Sequence, residues 1–202
     1  MRNLRSTLTL IGLALLLAAC SDPRLEPLFD DDVILAFGDS LTEGVGVDAE
    51  QSYPAALERL SGRTVVNAGI AGETTTEGLQ RLPQVLDRTR PNLMILLEGG
   101  NDILRNHDPA VTEANLERMI EMARERGIEV LLVGVPEKKL FSDTAPLYGD
   151  LARRYDLPFE DDAVADLLRN PEVKSDAVHF NADGYRRLAE AVYGQLQAEG
   201  AL

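Results

Sequence analysis

From Val33 onward, continuous apolar runs alternate with segments whose apolar residues recur at helical spacing. The runs "VILAF" at 33–37, "TVVN" at 64–67, "LMILL" at 93–97 and "VLLVGV" at 130–135 predict strands. Their hydrophobicity is unbroken rather than alternating, which marks parallel strands covered on both faces. The spacing predicts helices over Tyr53–Leu60, Thr75–Thr89, Thr112–Arg126, Tyr148–Tyr155, Asp161–Leu168 and Asp183–Gln197. Pro54 stands near the first of these starts, where its missing N–H is not needed, and Gly127 follows the third as a C-cap. Strand–helix alternation predicts an α/β fold built on an open, doubly wound, mostly parallel sheet. Ligands of such sheets bind beyond the carboxyl ends of the strands.

The residues just after the strands therefore carry the candidate chemistry. They read Gly38-Asp39-Ser40, Asn67-Ala68-Gly69-Ile70-Ala71-Gly72 and Glu98-Gly99-Gly100-Asn101-Asp102. Glycine at such points permits tight turns and close backbone approach to a ligand, and three such turns on one edge predict a shared site. Taken alone, Ser40 reads as a turn or cap residue. As a nucleophile it needs a neighbouring base, usually histidine, held by a carboxylate. The chain has two histidines. His107, in "LRNHDPAV", reads as an exposed loop residue. His179, in "SDAVHFNADGY", has Asp176 three residues before it, a spacing that places both side chains on one side of a loop. Asp176 is then placed to accept the Nδ1 proton, leaving Nε2 to face Ser40. Asp39 reads as a strand-end turn residue, Asp102 as a brace on local backbone, and Glu73 as an acid favouring a helix start. Glu98 has no assigned part.

Four blocks in order, Gly38-Asp39-Ser40-Leu41, Asn67–Gly72, Gly99-Gly100-Asn101-Asp102 and Asp176-Ala177-Val178-His179, resemble those of the GDSL esterases of the SGNH-hydrolase superfamily. From Val33 to the end the chain is most similar to the bacterial periplasmic thioesterase–arylesterase–lysophospholipase branch, through "VVNAGIAGETTTEGLQRLP" and "EGGNDILR". The resemblance implies a three-layer α/β/α, flavodoxin-like parallel sheet of about five strands. It implies Ser40 as nucleophile, His179 as base and Asp176 as its orienting acid. It also implies an oxyanion hole formed by the Ser40 and Gly72 backbone N–H groups and the Asn101 side-chain amide. The implied reaction is hydrolysis of carboxylic esters through an acyl-enzyme, on short to medium acyl or aryl esters, with thioesters and lysophospholipids as further substrates. Two other readings stay open: deacetylation of acetylated glycans on the same fold, and a non-catalytic binding lipoprotein. In the family, proline usually follows the histidine; here Phe180 does, which leaves the loop freer or holds it by packing. The patternless stretch Pro136–Leu147 is expected over the acyl site, with Leu140 and Phe141 as contacts. No cofactor and no metal are expected: the two histidines supply no ligand pattern, and no Gly-x-Gly-x-x-Gly follows the first strand.

The N-terminus is a different kind of sequence. Arg2 and Arg5 precede a short apolar run from Leu8 to Leu17 that ends in "LLAAC", the pattern of a secretory signal rather than a spanning helix. Leu17-Ala18-Ala19-Cys20 also looks like a lipobox, implying cleavage before Cys20 and lipidation of this, the chain's single cysteine. Ser21 resembles the sorting pattern for the outer membrane of Gram-negative bacteria. The expected organisation is a signal peptide at 1–19, a tether at 20–31 and one hydrolase domain at 32–202, on the periplasmic face of that membrane. The formal charge of −14 becomes −16 if residues 1–19, with Arg2 and Arg5 and no acid, are removed. Such a surface disfavours nucleic acid. The expected partners are a small acyl ester and a membrane reached through lipidated Cys20, with a monomer favoured.

Overall fold

A computed structural model of the chain describes residues 24–139 and 142–202. Five parallel strands, β1 (Val33–Gly38), β2 (Thr64–Gly69), β3 (Leu93–Leu97), β4 (Glu129–Val133) and β5 (Phe159–Glu160), form one sheet in the order β2-β1-β3-β4-β5. Eight α-helices accompany them: α1 (Ser40–Glu43), α2 (Tyr53–Ser61), α3 (Thr75–Thr89), α4 (Gly100–Leu104), α5 (Pro109–Arg124), α6 (Pro146–Tyr155), α7 (Ala163–Arg169) and α8 (Ala182–Ala198). Helix α2 packs on α8, and α5 packs on both α3 and α6, as the two layers of a doubly wound sheet require. The predicted α/β class, parallel sheet and strand count all stand. The sequence pattern misses β5, whose two residues make no apolar run, and α4, which starts on a glycine pair. Helix α5 begins at Pro109, with Asp108 as its N-cap, three residues before the expected start.

Strands β1 and β3 are buried along nearly their whole length, so every side chain on both faces leaves water. Without tryptophan, buried tyrosines fill much of the core, and two of them reach the functional edge. The Tyr148 hydroxyl donates to the Glu98 carbonyl at 2.8 Å, and the Tyr185 hydroxyl donates to the Val45 carbonyl at 2.9 Å. Each ring thus ties a loop beyond a strand end to the helical layers.

The stretch expected as a tether, residues 20–31, is seated on the domain from Arg24 onward. Arg24 pairs with Glu199, the Leu25 and Leu28 side chains are buried, and the Leu28 N–H donates to the Ala201 carbonyl at 2.8 Å. Two leucines in register with the chain's own C-terminus explain why this segment packs. The signal-peptide and lipobox expectations, including Cys20, lie outside the described residues, as do Leu140 and Phe141.

Glu98, immediately after β3, is a carboxylate fully buried in this core. One oxygen accepts the Gly99 N–H at 3.1 Å, while Oε2 meets no partner among the described residues. Burial, and then the neighbouring Asp39, Glu73 and Asp102, push its pKa well above the usual carboxylate range. The folded protein therefore holds Glu98 protonated where the unfolded chain ionises it. Stability is greatest below the unfolded pKa and falls as pH rises towards the folded one. Glu98→Gln keeps the acceptor for Gly99 and cannot ionise. Its stability relative to the wild type is expected to improve as pH rises from 5 to 9, since the wild type alone loses stability over that rise. Urea unfolding at both pH values measures this, and a difference independent of pH contradicts it.

Candidate active site

The site assembles where β1, β2 and β3 end. Gly38 closes β1 with no room for a side chain: a Cβ there would lie 1.9 Å from the Leu97 carbonyl oxygen and 2.4 Å from the Thr42 hydroxyl. Gly69 ends β2 in the same way, a Cβ falling 2.0 Å from the Glu43 nitrogen. These two glycines let the short helix α1 lie directly on the sheet edge. Asp39 caps it, its carboxylate accepting the Leu41 N–H at 3.0 Å, so Ser40 opens the helix with its hydroxyl turned to the cleft.

Ser40 Oγ stands 3.0 Å from His179 Nε2, across 139 positions of sequence. His179 Nδ1 is 2.7 Å from Asp176 Oδ2. The other Asp176 oxygen accepts the Val178 and His179 backbone N–H groups, each at 2.9 Å. The His179 contact, and then the Val178 N–H, hold the Asp176 carboxyl down to about 2, so it stays ionised beside the ring. Phe180 answers its open question by packing. It is fully buried, edge-on to Tyr185 at 5.5 Å between ring centres, and the loop is pinned by Asn181 N–H to the Val173 carbonyl at 3.0 Å. Rigidity that proline would supply through φ comes here from an aromatic contact.

Gly72 adopts φ +79°, in the left-handed region, while a Cβ would meet only Arg105, at 3.6 Å. The glycine is needed for conformation and not for space. Its carbonyl accepts from Arg105 at 2.8 Å, and the preceding Ala71 N–H donates to the Glu43 carboxylate. With the loop held on both sides, the Gly72 N–H is free of other acceptors among the described residues, as is the Ser40 N–H. Asn101 Nδ2 donates to the Glu73 carbonyl at 2.9 Å and lies 3.3 Å from Asp39 Oδ2. Ser40, Gly72, Asn101 and His179 line one cleft of about 690 Å³, with Asp176 behind the histidine.

Several neighbouring acids differ from their expected parts. Asp102 does not brace its own turn; it accepts the Thr75 N–H and hydroxyl, both at 2.8 Å, joining α4 to the start of α3. Glu73 precedes the α3 cap, which Thr74 and Glu77 supply, and pairs with Arg81. Arg81 lies 4.0 Å over the Phe37 ring and donates to the Ala68 carbonyl at 2.8 Å, so it ties the ends of β1 and β2 together. No pattern in the chain marks Arg81 beforehand, because the fold alone brings it to the Ala68 carbonyl and the Phe37 ring. Asp39, beyond its turn, is buried against Asn101, and desolvation pushes its pKa up to about 6. His107 is outside the cleft, half exposed, with Nδ1 3.6 Å from Asp102. Of the stretch Pro136–Leu147, Pro136, Glu137, Lys138, Lys139 and Ser142 do line the cleft.

Comparison with known proteins agrees with this architecture. Residues 36–187 match the GDSL-like Lipase/Acylhydrolase family. The chain is 33% identical over 174 residues to an arylesterase of Vibrio mimicus, spanning 81% of this chain and 87% of that one. It is 30% identical over 174 residues to the thioesterase 1/protease 1/lysophospholipase L1 of Escherichia coli K12, spanning 82% and 84%. Among solved structures, TesA superposes with a TM-score of 0.74 at 30% identity, covering 83% of this chain and 99% of that one. AlinE4, an SGNH-hydrolase family esterase, superposes with a TM-score of 0.66 at 35% identity, covering 84% and 97%. A family match across three quarters of the length, on the fold that the sheet order independently defines, makes the chain a member of the GDSL-like lipase/acylhydrolase family.

Proposed function

We propose that the protein is a serine ester hydrolase working through an acyl-enzyme. The observation that carries this reading is the Ser40–His179–Asp176 line of contacts at 3.0 and 2.7 Å. Ser40 Oγ attacks the ester carbonyl while His179 Nε2 takes its proton. Ionised Asp176 orients the ring through Nδ1 and stabilises the imidazolium. The tetrahedral oxygen is received by the Ser40 and Gly72 N–H groups and by Asn101, which turns its 3.3 Å Asp39 contact towards the substrate. Collapse expels the alcohol or thiol, protonated by His179, and leaves the acyl group on Ser40. Water activated by the same histidine then releases the acid. Buried Glu98, held neutral, adds no negative charge behind this hole.

The substrate class is small acyl esters, in keeping with the arylesterase and thioesterase names of the relatives. Leu41, Val45, Ile103, Leu104, Val135 and Leu168 give the cleft an apolar lining suited to an acyl chain or aryl group. For the cell, the reading is an exported lipoprotein anchored through Cys20; one relative, from Bacillus subtilis, carries the name lipoprotein.

Ser40→Ala is expected to lower kcat for an aryl butyrate by about 10⁴-fold or more, and a fluorophosphonate to label the wild type at Ser40. Full activity in the variant, or an adduct elsewhere, overturns the reading. Asp176→Asn, which keeps the shape but frees the wrong ring tautomer, is expected to lose on the order of 10³-fold in kcat with little change in KM. Intact-mass analysis of the protein from its host membrane is expected to show fatty acids on Cys20, absent in Cys20→Ser. A mature chain that keeps an unmodified Cys20 contradicts anchoring.

A further inference from the structure

The chain has three lysines among its 202 residues, Lys138, Lys139 and Lys174, and all three line the catalytic cleft. Every other side-chain cation outside histidine is an arginine, and the chain carries 34 acids against 20 lysines and arginines. Many arginines on the helices pair with acids, as Arg118, Arg154 and Arg186 do. Arg59, Arg105 and Arg124 instead bond backbone carbonyls, and none of these three lines the cleft. At the cleft, Arg169 is likewise neutralised by Asp143 and Asp166, and Lys139 by Glu137. Lys138 and Lys174 are different. The Lys138 ammonium donates to the Leu104 carbonyl, and the Lys174 ammonium lies 3.2 Å from the Leu168 carbonyl and 3.3 Å from that of Ala177. Neither meets a carboxylate within ion-pair distance among the described residues. Carbonyls fix where the two ammonium groups sit without cancelling their charge, and each keeps a donor to offer.

The two come from separate segments. Lys138 is on the loop after β4, and Lys174 is on the segment leading to Asp176 and His179. Leu104 and Leu168, whose carbonyls hold them, also line the cleft. A compact, hydrated ammonium on a flexible stem suits a carboxylate or phosphate that arrives at a partly open mouth. In a protein of strongly negative net charge, a local positive mouth also draws anions to a place the rest of the surface repels them from.

From this arrangement we propose that the substrate is an anionic ester, with a carboxylate or phosphate group that Lys138 and Lys174 receive while the apolar lining holds the remainder. The proposal rests on the ester-hydrolase reading and adds substrate charge to it. The anionic group belongs either to the acyl chain or to the leaving group; its charge chemistry is the same.

The test uses matched aryl esters: a neutral butyrate, the half-ester of a dicarboxylic acid with its carboxylate at the acyl end, and a butyrate with a carboxylate or phosphate on the leaving group. Wild-type kcat/KM is expected to favour one anionic ester over the neutral one at low ionic strength and to lose the preference as salt rises. Lys138→Met with Lys174→Met, which keeps both stems, is expected to cut that preference about tenfold, the scale of two partly exposed ion pairs, read as the anionic-to-neutral ratio of kcat/KM within each protein so that a general loss of activity cancels. Whichever arm responds assigns the anion to the acyl or the leaving side. An anionic-to-neutral ratio at or below one in the wild type, or the same ratio in the double variant, overturns the proposal. If none of the esters is cleaved, the hydrolase reading fails separately. Calorimetric binding of the dicarboxylate and of the leaving-group anion to both proteins then decides the lysine site: tighter binding by the wild type sustains it, and equal binding overturns it.

Discussion

Parallel pairing of β1 between β2 and β3, with Gly38 in register with both Gly69 and Leu97, is the constraint on which the site depends. Parallel strands send all their following loops to one edge. In this register the three loops emerge side by side, carrying Ser40, Gly72 and Asn101 to within reach of one bound atom. The two strand-end glycines fix the closeness of that approach, since any Cβ at Gly38 would overlap the Leu97 carbonyl. The sheet reverses its winding at β1, and Ser40 stands at that reversal, where an open α/β sheet leaves a crevice.

Around this edge the protein uses buried charge and buried hydroxyls as fasteners. Arg81 gathers the Ala68 carbonyl and Glu73 over the Phe37 ring; Asp102 reaches Thr75 at the start of α3; Tyr148 and Tyr185 secure the loops after β3 and α1. Each links a loop at the sheet edge to a helix in the outer layers, so the loops are held before any substrate arrives. Preorganisation of this kind is what lets neutral amides stabilise an oxyanion without rearranging during the reaction. The concentration of carboxylates behind the hole has a cost in stability, visible in the raised pKa values of Asp39 and Glu98.

Much of this was legible in the chain itself. Unbroken apolar runs announce β1, β3 and β4, because strands covered on both faces have no polar side to reveal. The run expected as a buried strand at 64–67 does form β2, but at the sheet edge, where only Val65 is buried. The Ser40, Gly72, Asn101, Asp176 and His179 positions follow from turn chemistry and from four ordered motifs. What stayed hidden has a common physical cause. Strand β5 is two residues long and exists because β4 offers an edge, so it leaves no period to read. Arg81, Asp102 and Tyr148 act through partners 13 to 50 positions away, which no local pattern encodes. Likewise, Lys138 and Lys174 look like scattered surface residues until the fold brings both to one cleft.

The central claim is that the Ser40 and Gly72 N–H groups stand free for one oxygen next to Ser40 and that Asn101 turns from Asp39 to join them. A crystal structure of the Ser40 adduct with a monoalkyl phosphonate tests it most directly. The account predicts a phosphoryl oxygen within about 2.7–3.1 Å of the Ser40 and Gly72 nitrogens and of Asn101 Nδ2, with the 68–72 loop unmoved. An adduct whose oxygen points to solvent, or which leaves Asn101 on Asp39, would contradict it.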